Sequence, residues 1–125
     1  MSKSLIYLAT PYSHPNRAVR VQRFKIANQV AAELMKKGLH IFSPISHTHP
    51  IAEEGGLPLD WQFWESYDRA ILAACRELWV LRQEGWETSK GVRAEIAIAE
   101  ELSIPVEYTD VTVLSLSKRK KPLGS

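Results

Sequence analysis

The sequence predicts an α/β domain: a three-layer sandwich in which helices cover both faces of a mostly parallel sheet of four or five strands. Three observations predict it. Apolar runs without polar alternation, Leu5-Ile6-Tyr7-Leu8-Ala9 and Leu78-Trp79-Val80-Leu81, suit strands buried on both faces. Longer stretches between them carry apolar residues at three- and four-residue spacing, the helical period. The two kinds alternate along 125 residues, and such alternation builds parallel sheets through right-handed crossovers.

The first strand covers residues 5–9 and stops at Thr10-Pro11, because proline withdraws a ladder donor. Residues 10–16 are a polar loop. A helix follows over about 17–37, with Phe24, Ala27, Val30, Ala31 and Leu34 on one face and Arg20, Arg23 and Lys37 at more exposed positions. Gly38 ends it. Leu39-His40-Ile41-Phe42 is the second strand, closed by Pro44. Residues 43–60 read as a loop, long enough to imply a function or a short helical turn.

Asp60 is an N-cap whose carboxylate can accept from free helix amides. The helix from 61 to about 74 turns Trp64, Tyr67, Ile71 and Leu72 to the core, with Trp61 and Phe63 nearby. After the third strand, residues 82–88 form a loop. Ser89 caps a helix over 90–102, and Ile104-Pro105-Val106-Glu107-Tyr108 is an edge segment. Val111-Thr112-Val113-Leu114 is a candidate final strand. One domain over 1–116 is expected, followed by a flexible basic tail over 117–125.

The formal charge is +2, but Lys118-Arg119-Lys120-Lys121 carries four positive charges, and the rest is about −2. The folded part therefore gives no electrostatic reason to expect a nucleic-acid partner. The lone Cys75 allows no intrachain disulfide and sits in Ala73-Ala74-Cys75, a packing context without a base. No apolar run reaches the length of a membrane span, and the opening lacks the pattern of a secretory leader. A cytoplasmic protein with no membrane partner is expected.

Ligands of parallel sheets gather beyond the carboxyl ends of the strands. Here those ends feed the loops 10–16, 43–60 and 82–89, which hold the unusual polar residues. Glu95 is the sharpest anomaly, since Gly91, Val92, Ile98 and Ala99 share its side of the helix. A buried carboxylate needs compensation. Either Glu95 pairs with Arg93 or Arg17, or it opens into a pocket. Asp68 interrupts an apolar face in the same way, flanked by Trp64, Ile71 and Leu72. It either pairs with Arg69 or another helix, or joins Glu95 in a cleft. Two converging carboxyls suit nucleophile and acid/base roles at an acetal-like carbon.

Ser89-Lys90-Gly91 opens a helix, where free amides suit a phosphate or carboxylate, although plain capping explains Ser89 as well. Tyr7, inside a strand, needs a hydroxyl partner if buried, and a carboxylate can be that partner. Tyr12 lies just beyond. His47-Thr48-His49 lacks the further ligands of a zinc site, so these histidines fix the loop or touch ligand and no metal is expected. Trp61 can face a planar ligand such as a base.

Tyr7-Leu8-Ala9, Phe42-Ser43-Pro44, Tyr67-Asp68, the Leu78–Leu81 strand and Ser89-Lys90-Gly91-Val92-Arg93-Ala94-Glu95 resemble the nucleoside 2-deoxyribosyltransferase superfamily. The likeness covers residues 5–106 and is strongest to a small bacterial and phage branch. It implies a Rossmann-like fold and chemistry at the N-glycosidic bond of a (deoxy)nucleoside or nucleoside 5′-monophosphate. By that resemblance Glu95 matches the nucleophile, Asp68 the assisting aspartate, Tyr7 the tyrosine that positions the glutamate, and Gly91 the helix-start glycine. Ser89 matches the serine of relatives acting on 5′-monophosphates. Tyr12, His47 and Trp61 complete the expected substrate contacts. No organic cofactor is implied, and a homodimer or larger homo-oligomer is. The rival readings are a non-catalytic nucleotide-binding or sensor domain of the same fold, or a protein-interaction module.

Overall fold

The computed structural model describes residues 3–114. The expected basic tail at 117–125 lies outside them. Four strands form one sheet: β1 (Leu5–Ala9), β2 (His40–Phe42), β3 (Glu77–Leu81) and β4 (Val106–Thr109), in the order β2-β1-β3-β4. All three pairings are parallel, with Tyr7 beside Phe42 on one side and Leu78 on the other. The helices are α1 (Arg17–Lys36), α2 (Pro44–Gly55), α3 (Trp61–Ala73) and α4 (Lys90–Glu101). This is a Rossmann-like architecture.

The pleat sorts the core into two layers. Tyr7, Ala9, Leu78 and Val80 face α3 and α4, where they pack with Leu72, Val92, Ile98 and Ala99. Ile6, Leu8 and Leu81 face α1, meeting Val30, Ala31 and Leu34. Successive strand residues point to opposite faces, so a strand covered on both sides must be apolar throughout. Central strand β1 satisfies that rule, and β3 does so over Leu78–Leu81, after Glu77 at its start. Pro105 stands just outside edge strand β4, and its carbonyl accepts from the Leu78 amide at 2.9 Å.

The boundaries of α1 follow its chemistry. Asn16 Oδ1 accepts from the Ala18 amide at 2.9 Å, and Gly38, at φ +90°, turns the chain out of the helix. Three expectations are corrected. Within 43–60, read as a loop or a short helical turn, residues 44–55 form the full helix α2, which starts with Pro44 in the first turn and ends on Gly56 in the left-handed conformation. Proline is tolerated at a helix start because its missing N–H has no intrahelical partner there. Residues 112–114 form a helical turn instead of a strand, as the Leu114 amide bonds the Val111 carbonyl at 2.9 Å. Finally, α3 buries only Leu72 fully. Tyr67 is 37% exposed and Phe63 44%, and α3 packs chiefly against α4. Asp60 caps α3 by position, yet its side chain makes no cap bond.

Among the described residues no helix is long and apolar enough to cross a membrane.

Candidate functional site

The strand order reverses direction between β1 and β3, so the connections leaving their carboxyl ends diverge and leave a crevice. A cleft of about 460 Å³ lies there. Its walls come from the loop after β1 (Thr10, Tyr12), from α2 (Pro44, Thr48), from α3 (Trp61, Asp68) and from the start of α4 (Ser89, Glu95). The cleft draws on all three strand-end segments singled out from the sequence.

Glu95 sits one and a half turns into α4 and is 5% exposed among Val92, Ile98 and Ala99. The two cations expected as its partners are engaged elsewhere. Arg17 pairs with Glu53, and Arg93 Nε donates to the Glu87 carbonyl at 2.9 Å. Instead, the hydroxyl of the fully buried Tyr7 donates to Glu95 Oε2. Of the two readings open from the sequence, the structure thus selects the one in which Glu95 faces a pocket. Asp68 follows suit: Arg69 pairs with Glu101 on α4, and Asp68 lines the cleft, half-buried beside Glu95 and Tyr7.

These three groups perturb one another. Burial, the neighbouring Asp68 charge and the carboxyl–carboxyl contact push the Glu95 acid well above the usual range, and only the Tyr7 hydrogen bond opposes them. Burial pushes Asp68 up to about 6, against hydrogen bonds with Glu95 and Tyr7 that pull it down. The Tyr7 phenol is raised well above its ordinary value, first by burial and then by the Glu95 and Asp68 charges, so it remains a donor. Burial thus favours the protonated form of both carboxyls, and the Asp68 charge adds to that at Glu95.

Ser89 Oγ accepts from the Val92 amide at 3.2 Å, capping α4 while the residue lines the cleft. Gly91 also lines it. A Cβ there would meet Trp61 Cε3 at 3.9 Å, so the glycine keeps the cleft open without relieving a clash. Trp61 is half-buried, with its ring between the core and the cleft.

Tyr12 lines the opposite wall, its hydroxyl bonded to His49 Nδ1. Burial raises the Tyr12 phenol and lowers the His49 imidazole, favouring the neutral form of each. His49, stacked on Phe24 with ring centroids 4.3 Å apart, is a buried support that sequence reasoning did not separate from His47. His47 is not brought to the cleft. Residues two apart on a helix point to different sides, and His47 lies against Phe42 beside a shallow depression next to α1. Reading the segment as a loop hid that divergence. Arg23 was missed too: it lines the cleft from α1 although its position reads as exposed.

Fold and site together define a small parallel α/β domain with a paired-carboxyl cleft at its switch point. Residues 4–110 match the profile of a family described as a domain of unknown function (DUF1937), and the chain belongs to that family. Comparison with curated proteins finds no match.

Proposed function

We propose that the cleft cleaves or transfers at the N-glycosidic bond of a (deoxy)nucleoside or nucleoside 5′-monophosphate, as the nucleoside 2-deoxyribosyltransferase-like form of this fold. The observation that carries the reading is Glu95: a nearly inaccessible carboxyl that opens only to the cleft, held by a buried phenol and paired with a second carboxyl. Core packing alone gives no reason to bury such a group without a cation.

The reaction runs through the arrangement with a proton on Asp68 and the charge on Glu95, the reverse of the order in which burial favours protonation of the two acids. The Tyr7 hydroxyl stabilises that charge and aims the other carboxylate oxygen at the cleft. Glu95 attacks the anomeric carbon as the bond to the base nitrogen breaks. The bonding pair leaves with the base, which takes the Asp68 proton. This gives a glycosyl ester on Glu95 and an ionised Asp68. Water, giving its proton to Asp68, then attacks the same carbon and releases Glu95. A second base in place of water completes transfer. The half-buried Trp61 ring supplies a flat apolar surface for the base.

The test is incubation of the purified protein with a panel of nucleosides and 5′-monophosphates, following released base by chromatography. Release by the wild type and none by Glu95→Ala supports the reading. Equal release by both removes Glu95 as nucleophile, and no release from any substrate removes the reaction.

A further inference from the structure

We propose that Arg23 is the anion anchor of the cleft, holding a phosphate group of the ligand through the Nε and Nη2 edge of its guanidinium. This deepens the reading above, resting on it for the identity of the ligand but not for the geometry.

Arg23 projects from α1, on the sheet face opposite α3 and α4, so it enters the cleft from the side away from Glu95 and Asp68. It is half-buried, and among the described residues the hydrogen bonds of its guanidinium run from Nη1 to the Ser13 carbonyl at 3.0 Å and the Tyr12 carbonyl at 3.4 Å. Among the described residues no carboxylate forms an ion pair with it. Exposed Glu84 acts on it only through its field, and burial lowers its pKa. A partly desolvated cation with one edge unused is matched by an anion that accepts two parallel N–H bonds.

Three features hold the group in place. The carbonyls after β1 fix Nη1. Buried Gln83, after β3, donates Nε2 to Thr10 Oγ1 and, at 3.3 Å, to the Arg23 carbonyl, tying the Arg23 backbone to the ends of both central strands. Gly85 makes room for the head: a Cβ there would stand 2.3 Å from Arg23 Nη2, and its φ of +94° is left-handed. Position 85 therefore takes glycine for two separate reasons. The guanidinium is thus seated at the β1/β3 switch point, where such folds place their ligands.

Lys90 lines the same cleft. Two cations favour a phosphate dianion over a singly charged carboxylate. The carboxyl pair and Lys90 line the cleft from α3 and α4, and Arg23 lines it from α1. A sugar carrying a phosphate on its exocyclic carbon spans such a site with its anomeric carbon towards Glu95.

Isothermal titration of the full chain with inorganic phosphate, acetate, and 2′-deoxynucleosides against their 5′-monophosphates tests this without turnover of the first two probes. Phosphate is expected to bind in preference to acetate, and 5′-monophosphates in preference to nucleosides. Arg23→Gln should weaken phosphate and monophosphate binding by about 10- to 100-fold and leave nucleoside binding unchanged. Arg23→Lys should restore only part of it. If Arg23→Gln fails to fold, Gly85→Ala, which displaces the head and keeps the charge, should give the same selective loss. Phosphate binding that is absent from the wild type, matched by acetate, or unchanged in the folded Arg23 and Gly85 variants overturns the proposal. Arg23-dependent phosphate binding without base release leaves the anchor standing and removes the glycosidic reaction. Base release insensitive to Arg23 does the reverse.

Discussion

The Tyr7 hydroxyl on β1 donates to Glu95 Oε2 on α4, joining the central strand to the candidate nucleophile across 88 residues of chain. Strand β1 is buried on both faces, so Tyr7 has no freedom to turn away. Removing the hydroxyl leaves a rigid apolar ring and an uncompensated carboxylate. Tyr7→Phe is expected to lower base release by about 10- to 100-fold, the value of one hydrogen bond to a charged group. The phenol lowers the Glu95 pKa, so its loss should also move the acidic limb of the pH–rate profile to higher pH. A rate loss with an unmoved limb would mean that Tyr7 acts only in packing.

On the proposed reaction Asp68 and Glu95 have separable duties, nucleophile for Glu95 and proton donor for Asp68. Glu95→Gln removes the nucleophile and should abolish base release, by roughly 10⁴-fold or more. Asp68→Asn removes the proton donor, and general acid catalysis is worth about 10²- to 10⁴-fold. That loss should shrink for substrates whose base leaves without protonation. The measurement is base release from an ordinary nucleotide against one bearing an activated leaving group. An equal loss on both would show that Asp68 does not protonate the base.

Cys75 is buried at the end of α3, and its thiol donates to the Ile71 carbonyl at 3.4 Å. Burial pushes the thiol up to about 11, so almost no thiolate exists near neutrality. A thiol-specific reagent should leave native protein unlabelled at pH 7 to 8 and label one equivalent after denaturation. Rapid native labelling would contradict the packing role read from its sequence context.

The central sheet was legible because β1 and β3 are apolar on both faces, which little else but a parallel sheet requires. Glu95 and Asp68 were legible as carboxyls on faces that should pack, and only coordinates could decide between ion pairs and a cleft. The helix α2 was not legible. Pro50 lies inside it, Gly55 closes it, and its Thr48 and two histidines are indifferent helix formers. Packing against α1 and β1 overrides that local preference. Arg23 was hidden for a different reason: helical period places it towards solvent, and the cleft lies where that face meets the strand ends.

The end of α2 gives a direct check on the segment misread from sequence. Gly56 holds φ +63° and its amide bonds the Ala52 carbonyl, so it supplies the left-handed cap. A Cβ there meets nothing within 4 Å, leaving backbone strain as the whole cost of Gly56→Ala. A loss of about 1 kcal/mol is expected, read by denaturant unfolding. Little change would argue that residues 44–55 do not end in this cap. Neighbouring Gly55, which has no positive φ, is the control and should tolerate alanine.

The carboxyl pair should also leave a signature in stability. Both acids have folded pKa values raised above their unfolded values, so the folded state binds protons more tightly. Their contribution is fully present below about pH 4, the unfolded value, and is lost as pH rises through the folded values. For Asp68 that window runs up to about 6, and for Glu95 it extends higher. The Asp68 shift alone corresponds to about 2–3 kcal/mol lost across the window. Asp68→Asn and Glu95→Gln keep the shape and remove the titration. Each variant should therefore gain on the wild type as pH rises from 4 to 8, with the difference in melting temperature growing through pH 6. A buried carboxyl pair that costs stability at working pH is held for something other than folding. Wild-type and variant curves that run parallel across that range would show that these carboxyls are solvated and independent, and the case for a reactive pair would fall with them.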